Sequence, residues 1–225
     1  MKAMILAAGR GERMRPLTDN TPKPLLMVAG KPIIEHTINQ LVAAGFTDIV
    51  INHARFGQKI EDYLGNGKDF GATIAYSSEG DEPLETAGGI INALPLLGKD
   101  AFLVVNGDIA TDFPFATLRT VTVELAHLVL VDNPLHHTTG DFGLDTAGWI
   151  TETDNQLYTF SGIGLYHPDL FANTPPGKSK LAPLLRAAIK EHKVTVQHYP
   201  GFWMDIGTPE GLQDLDSYPQ ALQTN

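Results

Sequence analysis

A mostly apolar run, Lys2–Ala7, leads straight into a stretch that neither a regular helix nor a strand can occupy: Ala8-Gly9-Arg10-Gly11, then Pro16, Pro22 and Pro24. Glycine weakens regular elements, and proline removes a backbone donor and fixes φ. The chain therefore has to build a buried strand that stops abruptly in a long loop. Further apolar runs at Asp48–Asn52, Ala72–Ser77 and Ala101–Asn106 are bounded by Gly, Pro or Asp. Between them lie helix-period stretches: Pro32 to Gly45, with Pro32 in the first turn and Ile34, Ile38 and Leu41 on one face, then Gln58–Leu64 and Gly88–Leu94. Strands interleaved with helices predict an α/β fold, a Rossmann-like and mostly parallel sheet flanked by helices.

The second half changes style. Leu125–Val131, Gly140–Leu144, Trp149–Glu152 and Tyr158–Tyr166 read as shorter strands joined by turns, an antiparallel addition that makes the sheet mixed. Lys180–His192 reads as a helix and Val194–His198 as a strand. Thr208-Pro209-Glu210 is a helix start, with Thr as cap and Pro in the first turn. We expect one domain over residues 1–225, its halves meeting near residue 110.

Composition narrows the partners. The 26 acidic side chains outnumber the 16 Lys and Arg, giving a net charge of −10, which argues against a general nucleic-acid binder. With no Cys, a disulfide framework, a thiolate metal site and a thiol nucleophile are excluded. No apolar run approaches the roughly 18 residues of a membrane span, so a soluble, cytoplasmic chain is expected. The charge is uneven, however. Residues 1–31 hold Lys2, Arg10, Arg13, Arg15, Lys23 and Lys31 against Glu12 and Asp19, so this segment is net basic in an acidic chain. A small anionic ligand would need such a segment.

The small residues Ala7, Ala8, Gly9 and Gly11 let a flat base or a phosphate chain approach the backbone. A dinucleotide fingerprint fails because its third glycine position is Met14 and Pro16 forbids the helix. A Walker A loop fails because Pro32, not Ser or Thr, follows Gly30-Lys31. Lys23, between Pro22 and Pro24, is expected on a stiff, extended support, a point charge for a phosphate oxygen. Asp108 follows the strand Ala101–Asn106 and Gly107, which aims its carboxylate at the crevice beyond the strand ends. Asp205 lies among Phe202, Trp203, Met204 and Ile206, where an unpaired carboxylate is costly. Two such aspartates with phosphate oxygens form a hard oxygen site suited to Mg²⁺. Asp112, Asp154 and the pair His136-His137 read as turn residues.

Leu6-Ala7-Ala8-Gly9-x-Gly11-x-Arg13-Met14-x-Pro16-Leu17-Thr18, followed by Pro22-Lys23-Pro24-Leu25, resembles the signature of the sugar-1-phosphate nucleotidylyltransferases, and the likeness runs from residue 2 to about 215. The resemblance implies transfer of a nucleotidyl group from a nucleoside triphosphate to a sugar 1-phosphate, with release of pyrophosphate. It implies Asp108 and Asp205 as ligands of Mg²⁺, Lys23 near the α-phosphate, and Arg13 on the leaving group with Arg15 assisting. Glu82-Pro83-Leu84-Glu85-Thr86-Ala87-Gly88 is similar to a P-L-G-T-A-G stretch near the base, which implicates Glu85 and Gly88, although Glu85 replaces a glycine and reads equally well as a helix start.

On the acceptor side, Asn106, Gly143, Glu152 and Ser161 are implied. The lysine of the relatives' Glu-Lys-Pro is missing after Glu152, and Ser161 replaces an asparagine. These departures suggest Arg10, Arg15 or Lys180 as the cation for the sugar phosphate. The compact length looks most like the members that use UTP with N-acetylmuramic acid 1-phosphate. GTP with mannose 1-phosphate and dTTP with glucose 1-phosphate stay open, and a non-catalytic sugar-nucleotide sensor is a distant alternative.

Overall fold

The computed structural model describes residues 1–145, 149–151 and 156–216. The elements run β1 (Ala3–Leu6), β2 (Met27–Val28), β3 (Lys31–Pro32), α1 (Ile33–Ala43), β4 (Asp48–His53), α2 (Gly57–Leu64), β5 (Thr73–Ser78), α3 (Glu85–Leu97) and β6 (Phe102–Asn106). They continue with β7 (Ile109–Thr111), β8 (Ala126–Val131), β9 (Phe142–Leu144), β10 (Ile150–Thr151), β11 (Leu157–Tyr166), α4 (Leu181–Lys190), β12 (Val194–Tyr199), β13 (Trp203–Asp205) and α5 (Pro209–Asp216). Helix α5 opens as expected, with the Gly211 amide donating to Thr208 Oγ1 at 3.2 Å. Helix α3 begins three residues before the predicted start.

One nine-stranded sheet takes strands from both halves. Its parallel part has the order β5-β4-β1-β6, and β11 then pairs antiparallel with β6. Strand β8 pairs antiparallel with β11 and parallel with β12. The mixed α/β sheet is therefore the expected one. The winding reverses between β1 and β6, a switch point where the carboxyl ends of the strands leave a crevice.

The period-2 alternation of the strands explains the two layers of helices. Ala3, Ile5, Leu103 and Val105 pack on one face with Ile34, Ile38 and Leu41 of α1 and Ile60 and Leu64 of α2. Met4, Phe102 and Val104 pack on the other with Ile90, Ala93 and Leu97 of α3 and Leu185 and Ile189 of α4. Each buried aliphatic side chain of this kind contributes about 1.5–3 kcal/mol.

Two short pairings outside the main sheet were not expected. Strands β2 and β3 form a small hairpin, and β13 pairs antiparallel with β7. Among the described residues, no helix is long and apolar enough to cross a membrane.

The crevice depends on close approach of β1 and β6. The Gly107 amide donates to the Leu6 carbonyl at 2.9 Å, and a methyl group at Gly107 would lie 2.6 Å from that oxygen. Gly107→Ala should therefore destabilise the chain by about 1–3 kcal/mol, read as a lower urea midpoint at unchanged slope.

Candidate active site

The loop after β1 is not fully irregular. It contains two single-turn 3₁₀ segments, Glu12–Met14 and Lys23–Leu25. Gly11 takes φ +63°, and the hydroxyl of buried Thr18 donates to its carbonyl at 2.7 Å, folding the loop back on itself. The extended path expected at Lys23 is corrected here. Pro22 is extended, but Lys23 starts a 3₁₀ turn, because Pro24 occupies a first-turn position where its missing donor is not needed. The stiff support for Lys23 is thus a turn. Its ammonium donates to Asp108 Oδ2 at 2.8 Å, and Lys23 is only 8% exposed.

Asp108 and Asp205 come together through backbone pairing. Asp205 is in register with Ile109, the residue after Asp108, and the Ile206 amide donates to the Asp108 carbonyl at 2.8 Å. Asp112 holds the approach to β13: its carboxylate accepts from the Tyr199 hydroxyl and the Phe202 amide. Burial raises the Asp205 carboxyl from its ordinary value, and the negative charge of Asp108 raises it further; Lys23, Arg13 and His136 act in the opposite direction. Gly207 leaves room for the charges, since a methyl group there would lie 2.9 Å from Asp205 Oδ2 and 3.0 Å from an Arg13 guanidinium nitrogen.

This arrangement fits a divalent cation. Two neighbouring carboxylates repel each other, burial disfavours the charge on one of them, and a hard cation would relieve both penalties. Among the described residues no third His, Asp or Glu completes a metal cluster. The remaining ligands would have to come from phosphate or water, which is usual for Mg²⁺.

Two clefts meet at Gly9, Lys23 and Asp108. The first, about 220 Å³, is lined by Ala7, Ala8, Asn52, Glu79, Glu85, Thr86 and Asn106 as well. The second, about 580 Å³, adds Arg10, Gly11, Arg13, Lys178 and Gly207. A side chain at Gly9 would meet open space, so the protein's own packing does not require glycine there; the opening faces the clefts. Glu85 stands at φ +61°, a left-handed value that favours glycine and costs other residues about 1–2 kcal/mol. It is also the first residue of α3, so the two readings of Glu85 are compatible.

Several expected residues are placed elsewhere. Arg15 is exposed, lies 3.6 Å from Asp19 and does not line either cleft. Gly88 faces residues 177–179: a methyl group there would lie 2.3 Å from the Gly177 carbonyl oxygen. Ser161 is fully buried, and its hydroxyl donates to the Val129 carbonyl at 2.7 Å and accepts from the Ile163 amide. It satisfies the backbone at the β-bulge between Phe160 and Ile163, and its hydroxyl does not face a cleft. Gly143 is buried within β9 and pairs with Thr151 and Leu157. Lys180 caps α4 and does not line either cleft. Glu152 and Asp154 lie outside the described residues.

Sequence reasoning missed three features. His136, read as a turn residue, has Nε2 3.9 Å from Asp205 Oδ2. Lys178 reaches the second cleft. A polar network also ties three strand ends together: the Ala7 amide donates to Asn52 Oδ1 (2.9 Å), Asn52 Nδ2 donates to Glu79 Oε1 (2.5 Å), and the Leu84 amide donates to Glu79 Oε2 (2.6 Å). Gly89 makes space for it, since a methyl group there would lie 2.4 Å from Glu79 Oε1. Its members are far apart in sequence, and only the Gly88-Gly89 pair signalled a close approach.

An α/β switch-point crevice with a cationic glycine-rich loop and two adjoining aspartates is an arrangement for phosphoryl-group chemistry. The Nucleotidyl transferase family profile matches residues 2–218, and the chain belongs to that family. It is similar to N-acetylmuramate alpha-1-phosphate uridylyltransferase of Neisseria meningitidis serogroup B, with 53% identity over 229 residues, 98% of this chain and 99% of that one. The protein of the same description from Caulobacter vibrioides is 33% identical over 223 residues, 92% of each chain. Among solved structures, a Bacillus anthracis chain assigned as a glucose-1-phosphate thymidylyltransferase superposes with a TM-score of 0.86 at 26% identity, covering 100% of this chain and 96% of that one. The family generally uses a divalent metal.

Asn52→Ala should leave the Ala7 amide and Glu79 Oε1 without partners. The expected cost is about 1–3 kcal/mol of stability, with a raised KM for the nucleotide and a smaller change in kcat. Thermal melting and initial-rate kinetics check both.

Proposed function

We propose that the chain transfers UMP from UTP to a sugar 1-phosphate, with N-acetylmuramic acid 1-phosphate as the acceptor and pyrophosphate as the second product. The observation that carries this reading is the Asp108–Asp205 pair set beside Lys23 and Arg13 at the mouth of the crevice. The choice of UTP and of this acceptor is supported by the likeness to the Neisseria protein over nearly the whole of both chains. Recycling of a cell-wall amino sugar in the cytoplasm is the corresponding physiological role.

The acceptor's phosphate oxygen attacks the α-phosphorus of UTP, and the bond from that phosphorus to the β-phosphate oxygen breaks. The nucleophile is a phosphate monoester whose second pKa is about 6, so it is already ionised at neutral pH and needs no protein base. The barrier is then one of bringing two polyanions together in line and stabilising charge. The small residues Ala7, Ala8 and Gly9 admit the nucleoside to the first cleft. Lys23 moves from Asp108 toward an α-phosphate oxygen when phosphate enters. Arg13, with Arg10 rather than Arg15, holds the β- and γ-phosphates in the second cleft. Asp108 and Asp205 would hold Mg²⁺, which when bound neutralises phosphate charge and orients the reacting groups.

Pyrophosphate release from four nucleoside triphosphates against several sugar 1-phosphates tests the assignment. The largest kcat/KM is expected for UTP with N-acetylmuramic acid 1-phosphate; no turnover of that pair would overturn it. Chelation should abolish the activity, and added Mg²⁺ should restore it. Lys23→Ala should lower kcat about a hundredfold while the melting temperature changes by only a few degrees. Loss of fold in place of rate would reject the role given to Lys23.

A further inference from the structure

Lys178 belongs to none of the elements that build the crevice, yet its position is tightly specified. It follows Pro175-Pro176-Gly177 in the segment leading to α4, where the prolines restrict the backbone and Gly177 takes φ +122°. Two backbone hydrogen bonds dock this segment on the start of α3. The Ser179 amide donates to the Leu84 carbonyl at 2.9 Å, and the Gly88 amide donates to the Ser179 carbonyl at 3.1 Å. No side chain fits at position 88, because a methyl group would lie 2.3 Å from the Gly177 carbonyl oxygen and 3.1 Å from the Ser179 amide. A glycine is therefore required at 88 for Lys178 to reach its place.

That place is the second cleft, among Gly9, Arg10, Gly11, Arg13 and Lys23. Lys178 lines this cleft and not the first one, where Asn52, Glu79, Glu85 and Thr86 lie. None of the residues of β9 or β11 lines it either. Glu12, Glu82 and Asp108 also line this cleft, and Arg10 is paired with Glu82, so Arg13, Lys23 and Lys178 are the cations there without a paired glutamate. The cleft adjoins the first one at Gly9, Lys23 and Asp108 and extends away from Asn52, Glu79 and Thr86, on the side where a triphosphate would carry its leaving group.

We infer that Lys178 is a further ligand of the departing pyrophosphate, and that Gly88 serves to dock the segment that carries it. The inference rests on the nucleotidyl-transfer reading of the site, but not on which base or sugar is used. Lys178 adds a cation from the second half of the chain to those of the glycine-rich loop. The β- and γ-phosphates are then held from two sides, and their charge is compensated as the bond to the α-phosphorus breaks.

Equilibrium binding of UTP, UMP and inorganic pyrophosphate to the wild type and to Lys178→Gln tests this. The substitution should weaken UTP and pyrophosphate about five- to tenfold and leave UMP within twofold; the loss should shrink as ionic strength rises. Lys178→Arg should recover most of the affinity. Gly88→Ala should reproduce the Lys178→Gln loss and add little to it in the double variant. Where thermal melting finds Gly88→Ala misfolded, the three lysine-site proteins carry the test alone. Unchanged affinity for pyrophosphate, an equal loss for UMP, or a KM rise confined to the acceptor would each overturn the inference. If the wild type prefers another triphosphate, the base assignment fails while the pyrophosphate comparison still decides the role of Lys178.

Discussion

The structure depends on holding two like charges next to each other. Left alone, Asp108 and Asp205 would repel, and burial would push Asp205 toward its neutral form. A three-residue strand pair, β7 with β13, fixes them at adjoining positions, and the carboxylate of Asp112 secures the turn that delivers β13. Lys23 supplies the nearest compensation through its 2.8 Å contact with Asp108. The site thus sets two carboxylates side by side with one lysine paired to Asp108. Both features suit a ligand that brings phosphate and metal together.

The rest of the frame keeps that cluster at the mouth of a switch-point crevice. Strands β1 and β6 touch because Gly107 has no side chain, and the Ala7–Asn52–Glu79–Leu84 network ties the ends of β1, β4 and β5 to the start of α3. Such a network is stabilising only when every member is satisfied, as the Ala7 amide, Asn52 and Glu79 are here. The ordered strand ends line the first cleft, while Arg10, Arg13 and Lys178 line the second. Rigid scaffold and charged loop divide the work.

What could be read from the sequence was what short-range signals specify. The apolar runs marked the nine strands of the main sheet to within a residue or two, and the Thr208-Pro209 pair marked the start of α5 with its cap. The loop spacing drew attention to Gly9, Gly11, Arg13 and Lys23, which the fold gathers around Asp108. Long-range pairings were not legible: nothing local in Trp203-Met204-Asp205 says that it will pair with Ile109–Thr111. Glycines misled in another way. Gly88 signalled close approach correctly, but the approaching group is the 177–179 segment. Ser161 occupied a position of interest, yet its hydroxyl is used by the bulge it sits in. Lys178 was hidden because its position follows from docking, not from its neighbours in the chain.

If Asp108 and Asp205 act together as a cation site that phosphate completes, turnover needs both carboxylates. The most direct measurement is the rate of pyrophosphate release as a function of Mg²⁺ concentration for the wild type, Asp108→Asn and Asp205→Asn. Each substitution is expected to lower turnover about a hundredfold or more and to shift the metal requirement upward. An Asp205→Asn enzyme with the wild-type rate and the wild-type metal dependence would contradict it.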